Sequence, residues 1–432
     1  MNQTHNKNTV RYYLVLALAL VFLFFSNDFG WLDVQKTAIV MAVGIDREED
    51  TYVLTSQIAI PQSSKQGKST ETVQLVSKGK TIAKAFSEIN EKTGWYPKLV
   101  FCHLILLGEK TTEENVFDVL DFFLRDEYLT DNCLLATCNG LAKDLLNESA
   151  LVDPSISIAV EKVLSSHAER VGTVLPSTLR QFSIGYFSDS QSGFLPLLKK
   201  QPQQEPTQPL PSENSQGTPD SSSQGSQNSN GGNGGNGGQG GNGGESSGGE
   251  NSSGGGEQKS ASEKPVFSAT ETALFVKGKR VGLFSDVETF AYGAVMNKLR
   301  LANYSVSKDE AVCTFTIKHN ASKLKISIDE NNRAVLKISL KMSAGVLDYS
   351  KAQSITEISD VGDVPAGYFE RAEKELAEDI EKTFEKCRAC NCDLFGIRER
   401  LRKYQKKHFD EWKTVALSSS LVDVKVQFEN IR

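Results

Sequence analysis

Cysteine and histidine are the residues in this chain whose spacing invites a chemical reading. Cys387-x-x-Cys390-x-Cys392 puts three thiols close together. A structural zinc site wants four ligands, usually as two well-spaced pairs. No second pair is near in sequence, and His408 is the only later candidate. Cys387 also falls on the inward face of the helical pattern before it, where a free cysteine packs as a small hydrophobe. No metal site is expected there. His103 lies inside the apolar run Leu99–Leu107 with no acid or nucleophile at a recognisable spacing. It reads as a hydrogen-bonded core histidine rather than a base or ligand. Nucleophile-elbow, P-loop and His-Glu-x-x-His patterns do not occur. The chain is therefore read as a non-enzyme, with no catalytic, cofactor-binding or metal residues and no cofactor.

A last candidate for chemistry is charge. Arg398, Arg400, Arg402, Lys403, Lys406, Lys407 and Lys413 crowd one helical pattern, with Ile397, Leu401, Tyr404, His408 and Trp412 facing inward. Such a run is ordinarily a solvated face. Beside an anionic membrane each charge would add up to about 1 kcal/mol. The net charge of −6 over 432 residues gives no reason to expect a nucleic-acid partner. The seven cysteines are odd in number and match no small disulfide framework.

The elements that must carry these residues begin with an N-terminal apolar run. Lys7 and Arg11 precede Tyr12–Phe25, which holds no charge, and Asp28 and Asp33 follow. The run is short for a spanning helix, which needs about 20 residues. It lacks a small-x-small cleavage site, so an uncleaved signal anchor is expected over 12–32, with a cleaved secretory signal as the alternative. Trp31 would sit at headgroup level, with residues 1–11 cytoplasmic and the bulk of the chain extracytoplasmic.

After the anchor, Ala38–Ile45 reads as a strand buried on both faces and Tyr52–Ile60 as its hairpin partner. A short strand over Thr72–Ser77 follows. Ile82, Phe86 and Ile89 mark a helix ended by Gly94. Leu99–Leu107 reads as one strand, Thr111-x-x-Glu114 as a capping box opening a helix, and Asn132–Cys138 as a closing strand. The order βββαβαβ makes 33–139 a compact α/β domain. Helices are expected at Leu141–Asn147, Pro154–His167 and Pro176–Tyr186, started by Asp153-Pro154 and Leu175-Pro176.

Residues 201–264 are almost wholly Pro, Gln, Ser, Asn and Gly, and are expected to be disordered. The tract is no phosphate cradle, since no strand–loop–helix frames it. Gly193–Leu198 before it lacks a local partner, while Ser268–Val276 and Arg280–Phe284 form a hairpin after it. The first is expected to pair with that hairpin across the tract, making a discontinuous middle domain of 140–200 plus 265–300, with Asp286 capping a helix through Leu299. In 301–432, alternation around Cys313–Ile317, Leu324–Ile328 and Leu336–Met342 gives three antiparallel strands. Phe369, Leu376, Ile380 and Phe384 stripe a covering helix, a second helix spans Ile397–Trp412, and Val422–Phe428 is a terminal strand. The fold class is α+β: a membrane helix, then three small mixed α/β domains, the middle one interrupted by a long disordered loop.

Several of these residues resemble one family. They are Trp31 followed by Ala38-Ile-Val-Met-Ala-Val-Gly-Ile-Asp46, Cys102-His103-Leu104 with Gly108-Glu109, Ala273-Leu-Phe with Val281-Gly282, and Cys392-Asp-Leu-Phe-Gly396 with Tyr404 and Trp412. Together they resemble the C subunit of spore germinant receptors, the Ger(x)C family. The resemblance implies a spore inner-membrane protein that works with A and B receptor subunits in nutrient-triggered germination. It implies action by protein–protein contact in assembly or signalling; the alternative is an anchored module that binds a small nutrient directly. Family members usually carry a lipobox cysteine just before the tryptophan. Here that position is Gly30, so no lipidation is expected and the helix must anchor the chain.

Overall fold

The computed structural model describes residues 3–26, 37–59, 72–148, 153, 155–165, 172–201, 266–308, 311–350, 364–413 and 416–431. Gly30, Trp31 and nearly all of the tract at 201–264 lie outside them. Helix α1 (Gln3–Ser26) carries the first apolar run, with exposed side chains from Tyr12 to Phe22. Among the described residues no helix is long and apolar enough to cross a membrane.

A nine-stranded sheet forms the first layer system, in the order β3-β2-β1-β5-β6-β7-β8-β9 with β4 also on β1. Strand β1 (Thr37–Glu48) turns at Glu49-Asp50 into β2 (Thr51–Ala59), which pairs with β3 (Thr72–Gly79). Helix α2 (Ile82–Thr93) ends as the sequence requires: Gly94 is left-handed at φ 70 and its N–H bonds the Asn90 carbonyl. Strands β5 (Leu104–Leu107) and β6 (Leu134–Cys138) run parallel to β1. Alternate side chains serve two cores. Val43, Ile45, Ile105 and Leu107 face α2 and α4 (Phe117–Arg125), whereas Ala42, Leu104 and Leu106 face α5 (Ala142–Leu146) and α6 (Ile156–Leu164). A strand covered on both faces has to be apolar throughout, which explains the unbroken run in β1.

The expected pairing across the tract is present. Strand β7 (Ser192–Gln201) is antiparallel to β8 (Val266–Val276), which turns into β9 (Lys279–Phe284). Strand β7 also runs parallel to β6, so the sheet continues from 33–139 into the middle segment. The second sheet, β10-β11-β12-β13, is covered by α9 (Tyr368–Ala389), whose Leu376, Ile380 and Phe384 are buried.

Several expectations are corrected. Leu99–Leu107 is not one strand: β4 (Tyr96–Lys98) and β5 are separated by a loop, because the chain bulges at Leu99–His103 and exposes Phe101 at 60%. Thr111 closes no capping box. Its hydroxyl donates to the Ile45 carbonyl, leaving the short α3 (Glu109–Thr112), while Glu114 pairs with Arg47. Helix α6 starts from Ser155 and α7 (Leu179–Phe187) from Thr178, side chains that accept backbone N–H bonds, in place of the Asp153-Pro154 and Leu175-Pro176 starts. Ser285, not Asp286, caps α8 (Asp286–Val295), in a true capping box with Glu288, and the helix stops before Leu299.

In the last portion the first two expected strands are one, β11 (Ala311–Ile328), which carries irregularities at Thr314/Phe315 and Ile317/His319 in its pairing with β12 (Ala334–Tyr349). Strand β10 (Ala302–Lys308) was hidden by its polar outward residues. The helix at Ile397–Trp412 breaks at Gln405 into α10 (Ile397–Tyr404) and α11 (Lys406–Trp412). Strand β13 (Leu421–Asn430) runs parallel to β12.

The capping box generates a test. Glu288 also accepts Lys386 Nζ at 2.6 Å, tying α8 to α9. Ser285→Ala should lower stability by about 1 kcal/mol in urea unfolding, as loss of a good N-cap does. No change in the midpoint would contradict this.

Candidate functional site

Several of the residues that carry the family resemblance, Asp46, Gly108, Glu109 and the Cys392–Gly396 loop, lie at two polar junctions. The first lies where β1, β5 and β6 end. Asp46 is 2% exposed and its carboxylate accepts the N–H groups of Ala142 at 2.7 Å and Lys143 at 2.9 Å. These are the first residues of α5, so the carboxylate fixes that helix on the sheet. Burial raises the Asp46 carboxyl pKa despite those two bonds. Gly108 allows the approach, because a Cβ there would lie 2.0 Å from Asp46 Oδ1. Glu109 accepts the Gly140 N–H at 3.0 Å and Arg280 Nη2 at 3.1 Å. The Gly140 bond first, then Arg280, holds its carboxyl below the usual range.

The second junction is the Cys392–Gly396 loop. Asp393 is buried, and its carboxylate accepts Ser190 Oγ at 2.8 Å, Ile397 N–H at 2.7 Å and Arg398 N–H at 2.8 Å. Its own N–H donates to Ser192 Oγ at 2.9 Å. Burial again raises the carboxyl pKa. Tyr292 donates its hydroxyl to Leu394 O at 3.3 Å, and Cys392 Sγ to Phe275 O at 3.5 Å. A cavity of about 210 Å³ opens beside this loop between Phe182, Phe194, Tyr292 and Glu399. A groove of about 500 Å³ lies elsewhere, between α2, β4 and Tyr128, lined by Phe86, Asn90, Lys98 and Phe122.

Of the other candidates, Cys387 and Cys392 stay neighbours, with the Cys392 N–H on the Cys387 carbonyl at 2.8 Å. Cys387 and Cys392 are buried thiols; burial pushes Cys387 well up and Cys392 up to about 12, so both stay neutral. Among the described residues no group of three metal-ligating side chains converges. His103 is not inside a strand. It sits just before β5, its Nδ1 3.3 Å from Phe101 O and its Nε2 3.5 Å from the Glu161 carboxylate. Sequence spacing hid that acid, since α6 delivers it. The basic run is largely occupied in structure: Arg398 bonds Asn391 Oδ1 and Lys413 O, Arg400 bonds Phe395 O, and Arg402 pairs with Asp189. Tyr404 was expected to face inward but is 60% exposed, with Lys403 over its ring. The His408 side chain, Gly30 and Trp31 fall outside the description. Sequence reasoning missed Ser190, Ser192 and Arg280, which carry no local signal and matter only through distant partners.

Two predictions follow from this chemistry. A carboxyl with a raised folded pKa binds its proton in the folded chain where the unfolded chain has released it. Stability from it is complete below the ordinary value of 3.8 and is lost as pH rises through the raised folded value. Asp393→Asn should flatten that decline in urea unfolding against pH. It should also cost about 1–3 kcal/mol at neutral pH, because its NH2 must face one of two buried N–H groups. An unaltered pH slope would contradict the assignment. Of the seven thiols, Cys390 alone is not fully buried. In the native chain one thiol should therefore react quickly with a disulfide reagent, and Cys390→Ala should abolish it; several fast thiols would contradict the packing.

Comparison with known proteins places the chain among spore germination proteins. Residues 32–200 match the family described as spore germination protein N-terminal domain, and residues 270–432 match spore germination B3/GerAC like, C-terminal. Spore germination protein B3 of Bacillus subtilis (strain 168) is 32% identical over 152 residues, 34% of this chain. The match spans only 38% of that relative's length. The crystal structure of the GerBC protein is similar at 18% identity and a TM-score of 0.46, over 90% of this chain and 97% of that one. The two family matches together take in both polar junctions and both flanks of the glycine-rich tract, and the chain belongs to the Ger(x)C family of spore germination proteins.

Proposed function

We propose that this chain is the membrane-anchored, non-enzymatic C subunit of a spore nutrient-germinant receptor, acting by protein–protein contact with the A and B subunits in assembly or signalling. One observation carries the reading: the buried acids among the family-like residues are spent on joining the fold. Asp46 and Asp393 each satisfy two backbone N–H groups at helix starts, and the partly exposed Glu109, at the start of α3, binds the Gly140 N–H just after β6 and Arg280 of β9. What remains for function is surface. In this reading residues 12–32 hold the protein in the spore inner membrane, with residues 1–11 cytoplasmic, Trp31 at the interface, and Gly30 in the place of a lipidated cysteine. Segments 33–139, 140–200 with 265–300, and 301–432 serve as three extracytoplasmic lobes that offer contact surfaces.

A second reading, direct binding of a small nutrient, is favoured by the cavity beside Asp393, where Gln181, Ser188, Tyr292 and Glu399 converge on about 210 Å³. Full-length protein extracted with detergent from cells that also make the A and B subunits separates the two. The proposal expects retention in the membrane pellet at alkaline pH and recovery of A and B on a tag carried by this chain. It expects no saturable heat when the chain alone is titrated with a nutrient panel. Release at alkaline pH, or recovery of A and B without this chain bound, would contradict it; saturable binding by the chain alone would favour the second reading.

A further inference from the structure

The nine-stranded sheet has two chemically different ends. Strands β1, β4, β5 and β6 are parallel, so all of them begin at one end and finish at the other. At the finishing end stand Asp46, Arg47, Glu48, Lys78 and Glu109, all engaged in hydrogen bonds or ion pairs. Gln201 and Val266, at or next to the edges of the glycine-rich tract, pair at this same end. At the beginning end the chain instead exposes large apolar side chains. Trp95 precedes β4 and Tyr96 opens it, Val100 and Phe101 bulge before β5, and Tyr128 stands in the loop before β6. Val73 joins them from the start of β3, which meets the end of β2 there. Trp95 is 42% exposed and Phe101 60%.

This rim is where the chain enters the sheet. Thr37, the first residue of β1, is in register with Tyr96. Helix α1 ends at Ser26, so the connection to Thr37 can reach no farther than about 36–40 Å even if fully extended. Trp and Tyr favour the boundary between hydrocarbon and headgroups. Lys98, whose ammonium lies 5.0 Å from the Tyr128 ring centroid, is the kind of long side chain that lays its stem on apolar surface and keeps its charge in water. Glu91, which is paired with Lys84, and Asp126 line the same groove as Lys98, so charges of both signs border the rim.

We propose that the rim of Trp95, Tyr96, Val100, Phe101 and Tyr128 is a lipid-binding surface that seats the folded body on the bilayer. The proposal rests on the anchor reading above and adds to it a second, independent contact made by the folded part. Attraction is apolar and interfacial, so it does not depend on anionic lipid. The charged end of the sheet, with Gln201 and Val266, then points away from the membrane.

The test uses full-length chain reconstituted into phosphatidylcholine vesicles whose acyl chains are brominated either near the headgroup or near the tail end. Tryptophan occurs at positions 31, 95 and 412, and Trp412 is buried. Emission of Trp31→Phe minus that of Trp31→Phe/Trp95→Phe therefore reports Trp95. The expected result is loss of Trp95 emission with bromine near the headgroup, a smaller loss with bromine near the tail, and no change on adding phosphatidylglycerol or salt. Phe101→Trp in the doubly substituted background should restore the quenched signal, which guards against a folding defect at position 95. Vesicle flotation after alkaline wash is measured on the same samples. Flotation with unquenched tryptophan at both positions would overturn this inference and leave the anchor intact, whether another protein or residues 27–36 cover the rim. Failure to float would overturn both.

Discussion

The antiparallel pairing of Ser192–Gln201 with Val266–Val276 is the contact on which the rest of this structure depends. It joins chain on either side of the glycine-rich tract into one sheet, and it sets β8 and β9 where α8 and the second sheet can pack on them. Leu274 and Phe284 belong to the core under α9, whereas Ala273 and Phe275 belong to the core under α4 and α7. One hairpin thus serves two cores through the two-residue alternation of a strand. The entropy of closing a long loop grows only with the logarithm of its length, so a pairing of this extent tolerates a long insertion.

The polar junctions act on that frame. A buried carboxylate is costly unless its oxygens are satisfied, and here both Asp46 and Asp393 meet the free N–H groups of a helix start. Each bond links residues far apart in sequence: Asp46 to Ala142, and Asp393 to Ser190. Such bonds fix one orientation of a helix or loop where apolar packing alone would accept several. On the proposed function as an assembly subunit, whose surfaces must present themselves in one arrangement, that is a sufficient use for them.

What could be read from the sequence was whatever is decided locally. The unbroken apolar run of β1, the Gly94 helix end, the β8–β9 hairpin and the stripe of α9 follow from patterns within a dozen residues. The misread places are those where a distant partner overrides the pattern. Thr111 prefers the Ile45 carbonyl to a helix cap, and Ser285 wins over Asp286 because Glu288 completes its box. Leu99–Leu107 looked like one strand because its apolar content continues through a bulge that exposes Val100 and Phe101 instead of burying them. The polar stretch at His319, Asn320 and Ser322 lies between the two expected strands, yet Asn320 bonds the Ala294 carbonyl and Ser322 N–H bonds Asn297 while the pairing with β12 continues. Of the candidate junction residues, Asp46, Glu109 and Asp393 stood in recognisable motifs, whereas Ser190, Ser192 and Arg280 had only their fold neighbours to mark them.

The central claim is that the segments flanking the tract form one folded body held by noncovalent pairing. The direct measurement is cleavage of the full-length chain at a protease site introduced within 203–263, followed by size-exclusion chromatography in detergent. The account predicts that the two fragments co-elute and separate only in denaturant. Separation under native conditions would contradict it.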